Sequence, residues 1–334
     1  MDIKGLILAT VSFLLVAVSC SVENDTIMND IDNGVTQTSA GDVVLSANLT
    51  TQAKVITKAG NYDNEIRNCI VFLLNANDKV IGLTSTETYT EEWIPSIMTK
   101  VQQGLYMVAV ANVDIDDFKK CSTYSAIENE VLNHPEYLTK QGRVDVLFGN
   151  FEGSASAVDA PVFTVSDPIL LKQVSARVEL SSFQVNYVGE ADATEKPVVL
   201  LTSVELVNTK TESYLFRESA DYNQNPISLF SGVMEPSADL DNIGMWVFQN
   251  QSSNATKMTL KFSVNGVEND SYSREYTINP EGKGASDHNQ ILAGNVYKLN
   301  VKVNVYREVP EFDVDLDWEV IDMEAIQVNI PDFE

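Results

Sequence analysis

The sequence predicts an all-β protein, built as two tandem β-sandwiches with one short helical interruption. Three observations carry that prediction. Short runs rich in Val, Ile, Leu and Phe, such as IRNCIVFLLNA, GLYMVAVANVD and KMTLKFSVNG, recur along the chain, separated by Gly, Asn, Asp or Ser. Some alternate apolar with polar residues, as a strand with one buried face must, and FDVDLDWEV does so without a break. The 334 residues exceed the ~100–200 of an ordinary domain, so two cores are expected.

Composition narrows the class. With 44% hydrophobic and 21% charged residues, the chain has the balance of a folded protein and not of a disordered tail. Its 48 Asp and Glu outweigh 22 Lys and Arg, giving a formal charge of -26. Such a field repels phosphate backbones and anionic headgroups, so no nucleic acid partner is expected. The acidity reads as a means of keeping an exported surface protein soluble.

Residues 1–19 read as a signal peptide. Lys4 precedes an apolar stretch over residues 5–18, shorter than the roughly 20 residues that span a bilayer. Ala17-Val18-Ser19-Cys20 has the form of a lipobox, in which the Cys20 thiol is diacylated; an ordinary secretory signal containing a cysteine is the alternative. Residues 20–42 are polar and without apolar period, a lipid-anchored tether. Cys69 and Cys121 then remain, with no framework spacing; two buried thiols are expected, and a disulfide stays open.

The N-terminal sandwich is placed over residues 43–168. Its first strand, DVVLSANLT, alternates Val43, Leu45, Ala47 and Leu49. IRNCIVFLLNA, KVIGLT, GLYMVAVANVD, RVDVLFGN and APVFTV follow. Between them, residues 114–132 set Ile115, Phe118, Tyr124, Ile127 and Val131 at rough helical spacing behind acids in the first turn, predicting a helix or a helix pair. The chain restarts around Pro168, and the C-terminal sandwich is placed over residues 169–320. ILLKQVSARVELSSFQVNY, VVLLTSVELVNT, ESYLF, MWVFQN, KMTLKFSVNG, SREYTIN and NVYKLNVKVNVY are its strands, with a loop over residues 279–289.

The ending is unusual. Apolar residues hold even positions from Phe312 to Val320, shift to odd ones at Ile321, Met323 and Ala325, and return to even ones at Ile326, Val328 and Ile330. Each one-residue shift turns the side chains to the other face, so residues 311–320 form the last domestic strand and residues 321–334 an appendage across a bend. Asp313, Asp315, Asp317 and Glu319 project in a row from one face. That suits solvation and discourages unwanted edge pairing, whereas a calcium site wants carboxylates converging from a loop.

Chemistry is nearly absent. His134 and His288 are the only histidines, each without a His or Cys neighbour at ligand spacing, and neither a GxGxxG after a strand nor a P-loop occurs. No catalytic residue, metal site or cofactor is expected. Of the tryptophans, Trp318 and Trp246 read as core, and Trp93 alone as available for a glycan, which makes a glycan-binding surface lipoprotein the alternative function.

Several motifs in order resemble the fimbrillin family, the type V pilus subunits of Bacteroidetes. GLYMVAVANVD before a helical segment is similar to that family's strand ending in Asn. ILLKQVSARVELSSF, with Arg177, is similar to the start of its C-terminal domain. MWVFQNQSSNATKMTLKFSVNG, ILAGNVYKLNVKV and DLDW match later strands. The resemblance implies two transthyretin-like sandwiches and a protein that reaches the outer membrane as a lipoprotein. It also implies protease-triggered exchange of the first strand, Val43, Leu45, Ala47 and Leu49, for a C-terminal strand of the next subunit. Ile326, Val328 and Ile330 have the spacing of that donor. Family cleavage follows Arg, yet residues 1–66 contain none, so Lys54 or Lys58 is the expected processing site; Arg67 lies too near the CIVFLL strand. Implied partners are homologous subunits in a homo-polymer, the outer membrane before processing, and a host or bacterial surface ligand. The implied location is the cell outer membrane and an extracellular fimbrium, with an unprocessed anchor or tip subunit as the alternative role.

Overall fold

Strands form where the sequence alternates or is apolar throughout. The computed structural model describes residues 41–51, 56–57, 60–61, 65–188, 196–210, 212–216, 221–223, 225–237, 240, 243–283, 287–306 and 312–322. The N-terminal half contributes β1 (Asp42–Ser46), β2 (Leu49–Thr51), β3 (Ile56–Thr57), β4 (Gly60–Asn61), β5 (Cys69–Leu74), β6 (Val80–Thr86), β7 (Ser96–Lys100), β8 (Tyr106–Ala111), β9 (Lys140–Asp145), β10 (Val162–Thr164) and β11 (Ile169–Gln173). β10, β1 and β7 make a three-stranded sheet, facing a six-stranded one of order β2-β11-β9-β8-β5-β6.

β5 and β8 are buried at every position because both faces of the large sheet are covered. Cys69, Val71, Leu73, Met107, Ala109 and Ala111 point toward the small sheet and meet Val43, Leu45 and Ile97. The alternate residues Ile70, Phe72, Leu74, Val108 and Val110 point the other way, onto Ile115, Phe118 and Ile127. The latter belong to a helix pair, α1 (Ile115–Phe118) and α2 (Tyr124–Glu128). Asp114 caps α1 by accepting from the Asp116 N–H, and Thr123 Oγ1 caps α2 by accepting from the Ala126 N–H.

The C-terminal half contributes β12 (Ser175–Val188), β13 (Val199–Val207), β14 (Thr209–Lys210), β15 (Tyr222–Asn223), β16 (Ile227–Met234), β17 (Gly244–Phe248), β18 (Lys257–Val264), β19 (Val267–Thr277), β20 (Asn295–Tyr306) and β21 (Phe312–Asp322). Two four-stranded sheets, β17-β12-β20-β21 and β16-β13-β18-β19, enclose a second core. β12 runs parallel to β20, with a register shift between Leu180 and Ser182. Before that bulge Ala176, Val178 and Leu180 face the core; after it Phe183 does, so one extra residue keeps the long strand amphipathic.

The two halves share packing. Val174, Leu215 and Phe248 sit in the same cluster as the helix pair. Leu132 and Ser213 exchange backbone hydrogen bonds of 2.8 and 3.0 Å, and the Phe216 ring lies 5.4 Å from that of Tyr124. ESYLF, expected as a strand, is instead a strap whose Leu215 is buried against the N-terminal half. Its alternation is real, but the buried face belongs to a neighbour and not to a sheet.

Cys69 and Cys121 are both buried and unpaired. Burial pushes the Cys69 thiol up to about 12; burial, then the carboxylates of Glu130 and Asp117, push Cys121 up to about 11. The thiolate is the reactive form. In the folded protein at neutral pH, iodoacetamide should therefore label neither residue, and both should be labelled in guanidinium. Peptide mapping showing prompt native labelling of Cys69 would contradict this packing.

Candidate functional site

Among the described residues β1 is the first strand, and yet it is an interior one. It pairs antiparallel with β7, placing Leu45 opposite Ile97, and parallel with β10, placing Leu45 opposite Phe163. Val43, Leu45 and Ala47 are fully buried, while Leu49 in β2 is half-buried against the same core. β2 continues the path by pairing parallel with β11, Leu49 opposite Ile169. Bonds beyond the ladders hold the segment along its length: Val44 N–H to Pro161 O at 3.0 Å, Ala47 N–H to Pro95 O at 3.3 Å and Val165 N–H to Ser46 O at 2.8 Å. At its start the backbones of Gly41 and Gly153 approach so closely that a Cβ on Gly153 would lie 2.5 Å from Gly41 O. Only glycine permits that approach.

β21 lies at the edge of its sheet, paired with β20 alone among the described residues. Trp318 is buried and Val314, Leu316 and Val320 pack against the C-terminal core, while Asp313, Asp315, Asp317 and Glu319 face solvent. Asn304 Nδ2 donates to Asp315 Oδ2 at 2.6 Å, and Lys283 Nζ to Asp317 Oδ1 at 2.8 Å. Because β20 is parallel to β12 and β21 antiparallel to β20, Asp322 comes to lie opposite Asn295. The chain therefore leaves β21 at the end of the sheet where β12 begins. Cys20, Lys54, Lys58, Ile326, Val328 and Ile330 lie outside the described residues.

The tryptophans differ from expectation in two places. Trp93 is half-buried against the N-terminal core, its ring edge-on to Tyr89 at 6.2 Å, so it offers no free platform. Trp246 stands on the outer face of β17 with the Arg177 guanidinium 5.5 Å from its ring, because Arg177 is its partner across the ladder. His134 faces Glu136 at 2.9 Å and stacks on Tyr137; His288 pairs with the Pro280 carbonyl at 2.7 Å. Among the described residues no cluster of three or more His, Cys, Asp or Glu side chains could hold a metal.

The motif comparison noted the Asn that ends GLYMVAVAN, but sequence reading gave neither it nor Asn250 a structural role. Asn112, at φ 58°, ends β8; its Oδ1 accepts from Arg67 N–H at 2.8 Å and its Nδ2 donates to Glu65 O and Leu138 O. Fully buried Asn250 donates through Nδ2 to Asn254 O and Thr256 Oγ1, both at 3.0 Å. The available signal was the Asn that closes each run, in VANVD and in VFQN, where a polar residue follows an apolar strand.

The sequence matches no protein-family model. A Parabacteroides distasonis protein provisionally named the fimbrium tip subunit Fim1C is 27% identical, the match covering 58% of this chain and 58% of that protein. The chain thus spans less than two thirds of that relative's length. The crystal structure of a Parabacteroides distasonis protein provisionally described as a cell adhesion protein superposes with a TM-score of 0.56 at 19% identity, covering 84% of this chain and 96% of the other. That of a fimbrilin from Porphyromonas gingivalis W83 gives 0.56 at 14% identity, covering 83% and 96%. The chain has the β-sandwich fold of Bacteroidetes fimbrial proteins.

Proposed function

We propose that this chain is a structural subunit of a cell-surface fimbria serving adhesion, exported as a lipoprotein through Cys20 and polymerised by exchange of its first strand. One observation carries the reading: β1 is the middle strand of its sheet. Removal of an edge strand leaves an edge, but removal of β1 leaves a slot, bordered by β7 and β10, with vacated pockets where Val43, Leu45 and Ala47 sat. An incoming strand would find backbone partners on both sides and a period-two set of apolar pockets, the requirements of strand addition. Ile326, Val328 and Ile330 repeat the spacing of Val43, Leu45 and Ala47.

Cleavage after Lys54 or Lys58 would release both β1 and β2, and Lys58 falls between β3 and β4 in sequence. The likeness to Fim1C favours a second reading, a tip subunit, and retention of the lipid a third, an anchor. The glycan-binding alternative is weakened because Trp93 is packed against the core.

The donor role is tested with I326D/V328D/I330D. The monomer should keep its fold and fibres should vanish; fibres of normal length from this variant would remove the donor assignment. The N-terminus of the mature surface protein separates the roles. Val55 or Ala59 marks a processed subunit, and acylated Cys20 an anchor.

A further inference from the structure

We propose that the slot left by β1 selects its donor by size at the Ala47 position, and that the residues of the next copy that fill its pockets are Ile321, Met323 and Ala325. The inference rests on the strand-exchange reading and names the residues that enter the pockets, with Ile326, Val328 and Ile330 following behind them.

Val320 is the last residue of β21 to pack on the C-terminal core. Beyond it the pattern inverts. Ile321, opposite Val296 in the ladder, stands by alternation on the face that Asp313, Asp315, Asp317 and Glu319 give to solvent, and the sequence puts Asp322 in the phase of Leu316, Trp318 and Val320. A strand patterned for one place keeps one face apolar to its end. These two residues are patterned for a second place. Because β21 lies at the sheet edge, they leave it by giving up only their pairs with Val296 and Asn295.

The pockets differ in size. Val43, Leu45 and Ala47 are fully buried, and Ala47 is held where its N–H reaches Pro95 O at 3.3 Å and the neighbouring Ser46 O accepts from the Val165 N–H at 2.8 Å. Protein interiors are close-packed, so the site left by the Ala47 methyl is small. Ile326, Val328 and Ile330 form the same pattern in either direction: whichever end enters first, Val328 meets the Leu45 pocket and an isoleucine meets that of Ala47. Sliding the segment by two residues puts Glu324 or Asp332 into one of the buried sites. Overpacking a closed core and burying an unpaired carboxylate are both destabilising. Ile321, Met323 and Ala325, running in the direction of β1, set isoleucine on the Val43 pocket, methionine on that of Leu45 and alanine on that of Ala47. Cores tolerate Met for Leu well, and Ile for Val adds a single methylene.

The intervening residues also fit. In this register Asp322 takes the outward place of Val44, and Glu324 takes that of Ser46, a buried polar position flanked by Thr164 and Ser96. Ser46 Oγ and Thr164 Oγ1 lie 3.0 Å apart, and the two flanking hydroxyls are donors for a carboxylate. The change of apolar phase after Ala325 then coincides with the point after Ala47 where the native path leaves the small sheet for the large one. Direction follows from the register: the donor runs parallel to β10 and antiparallel to β7.

The test is cross-linking in fibres isolated from cells that make the full chain, read as a ladder on a boiled denaturing gel. Met98 lies opposite Val44, so the donor residue that replaces Val44 comes to lie beside it. A short bismaleimide should link D322C/M98C into multimers and leave M98C, Q327C/M98C and N329C/M98C monomeric; Gln327 and Asn329 hold that place in the two directions open to residues 326–330. Ala325→Ile should abolish fibres and Ala325→Ser should keep them, with the melting temperature of the purified monomer unchanged in both. Fibres of normal length from A325I overturn the inference and leave strand exchange standing. Links from Q327C/M98C or N329C/M98C in place of D322C/M98C do the same. Fibres in which none of the three pairs links put no part of the tail beside Met98, and remove the strand-exchange reading and this inference together, as does wild-type chain that forms no fibres.

Discussion

Leu45→Asp in the uncut chain should unfold the N-terminal half, whereas Val44→Asp, one residue earlier, should leave it folded. Leu45 is fully buried between Ile97 and Phe163, in a core shared with Val71, Leu73 and Met107. Truncation to Ala alone costs about 2–5 kcal/mol at such a site. A carboxylate placed there has no donor to meet, and the added desolvation approaches the ~5–15 kcal/mol that holds a whole domain together. Val44 points outward between exposed Val162 and exposed Met98, where a substitution changes stability by about 0.5 kcal/mol or less. Thermal melts of the two variants, followed by the fluorescence of Trp93 against the same core, decide the matter. Equal melting temperatures would mean that the alternation of β1 is misassigned. Under strand exchange the lesion also has a place in time: Leu45→Asp damages the precursor, while a mature subunit that has lost β1 carries no trace of it.

The faces of β1 were legible because they depend only on alternation, a property of neighbours in sequence. That β1 is an interior strand was not, since its partners β7 and β10 lie about 50 and 120 residues downstream, and pairing at that distance leaves no local mark. The same distinction explains the rest. β5 and β8 declared themselves by uninterrupted apolar runs, and β21 by Asp and Glu in every gap. ESYLF did not declare itself as a strap, because burying Leu215 against the other half looks in sequence like burying it in a sheet. Trp246 misled because an apolar run suggested a core strand, yet its ladder partner is Arg177 on a half-open face.

Asn112→Ala should cost about 2.5–6.5 kcal/mol and open a protease site that the native fold keeps closed. Three side-chain hydrogen bonds, to Arg67 N–H, Glu65 O and Leu138 O, are lost at ~0.5–1.5 kcal/mol net each. Alanine must also hold φ near 58°, a left-handed conformation that costs it about 1–2 kcal/mol. N112G removes that strain and keeps the loss of hydrogen bonds, so it should be the milder of the two. The consequence for function lies in residues 65–68, which follow the proposed processing sites Lys54 and Lys58. There the chain is clamped on several sides: Asn112 Oδ1 holds the Arg67 N–H, Arg67 O accepts from the Tyr89 N–H at 2.7 Å, and Asn68 pairs with Val113 through both its amide groups. A protease must draw its substrate into an extended, unpaired form, so the clamp protects Arg67 although its side chain is half exposed. Limited trypsin digestion should spare Arg67 in the native protein and cut there early in N112A, detaching everything ahead of β5. An unchanged digestion pattern in N112A would mean that position along the chain, and not the asparagine clamp, decides where processing stops.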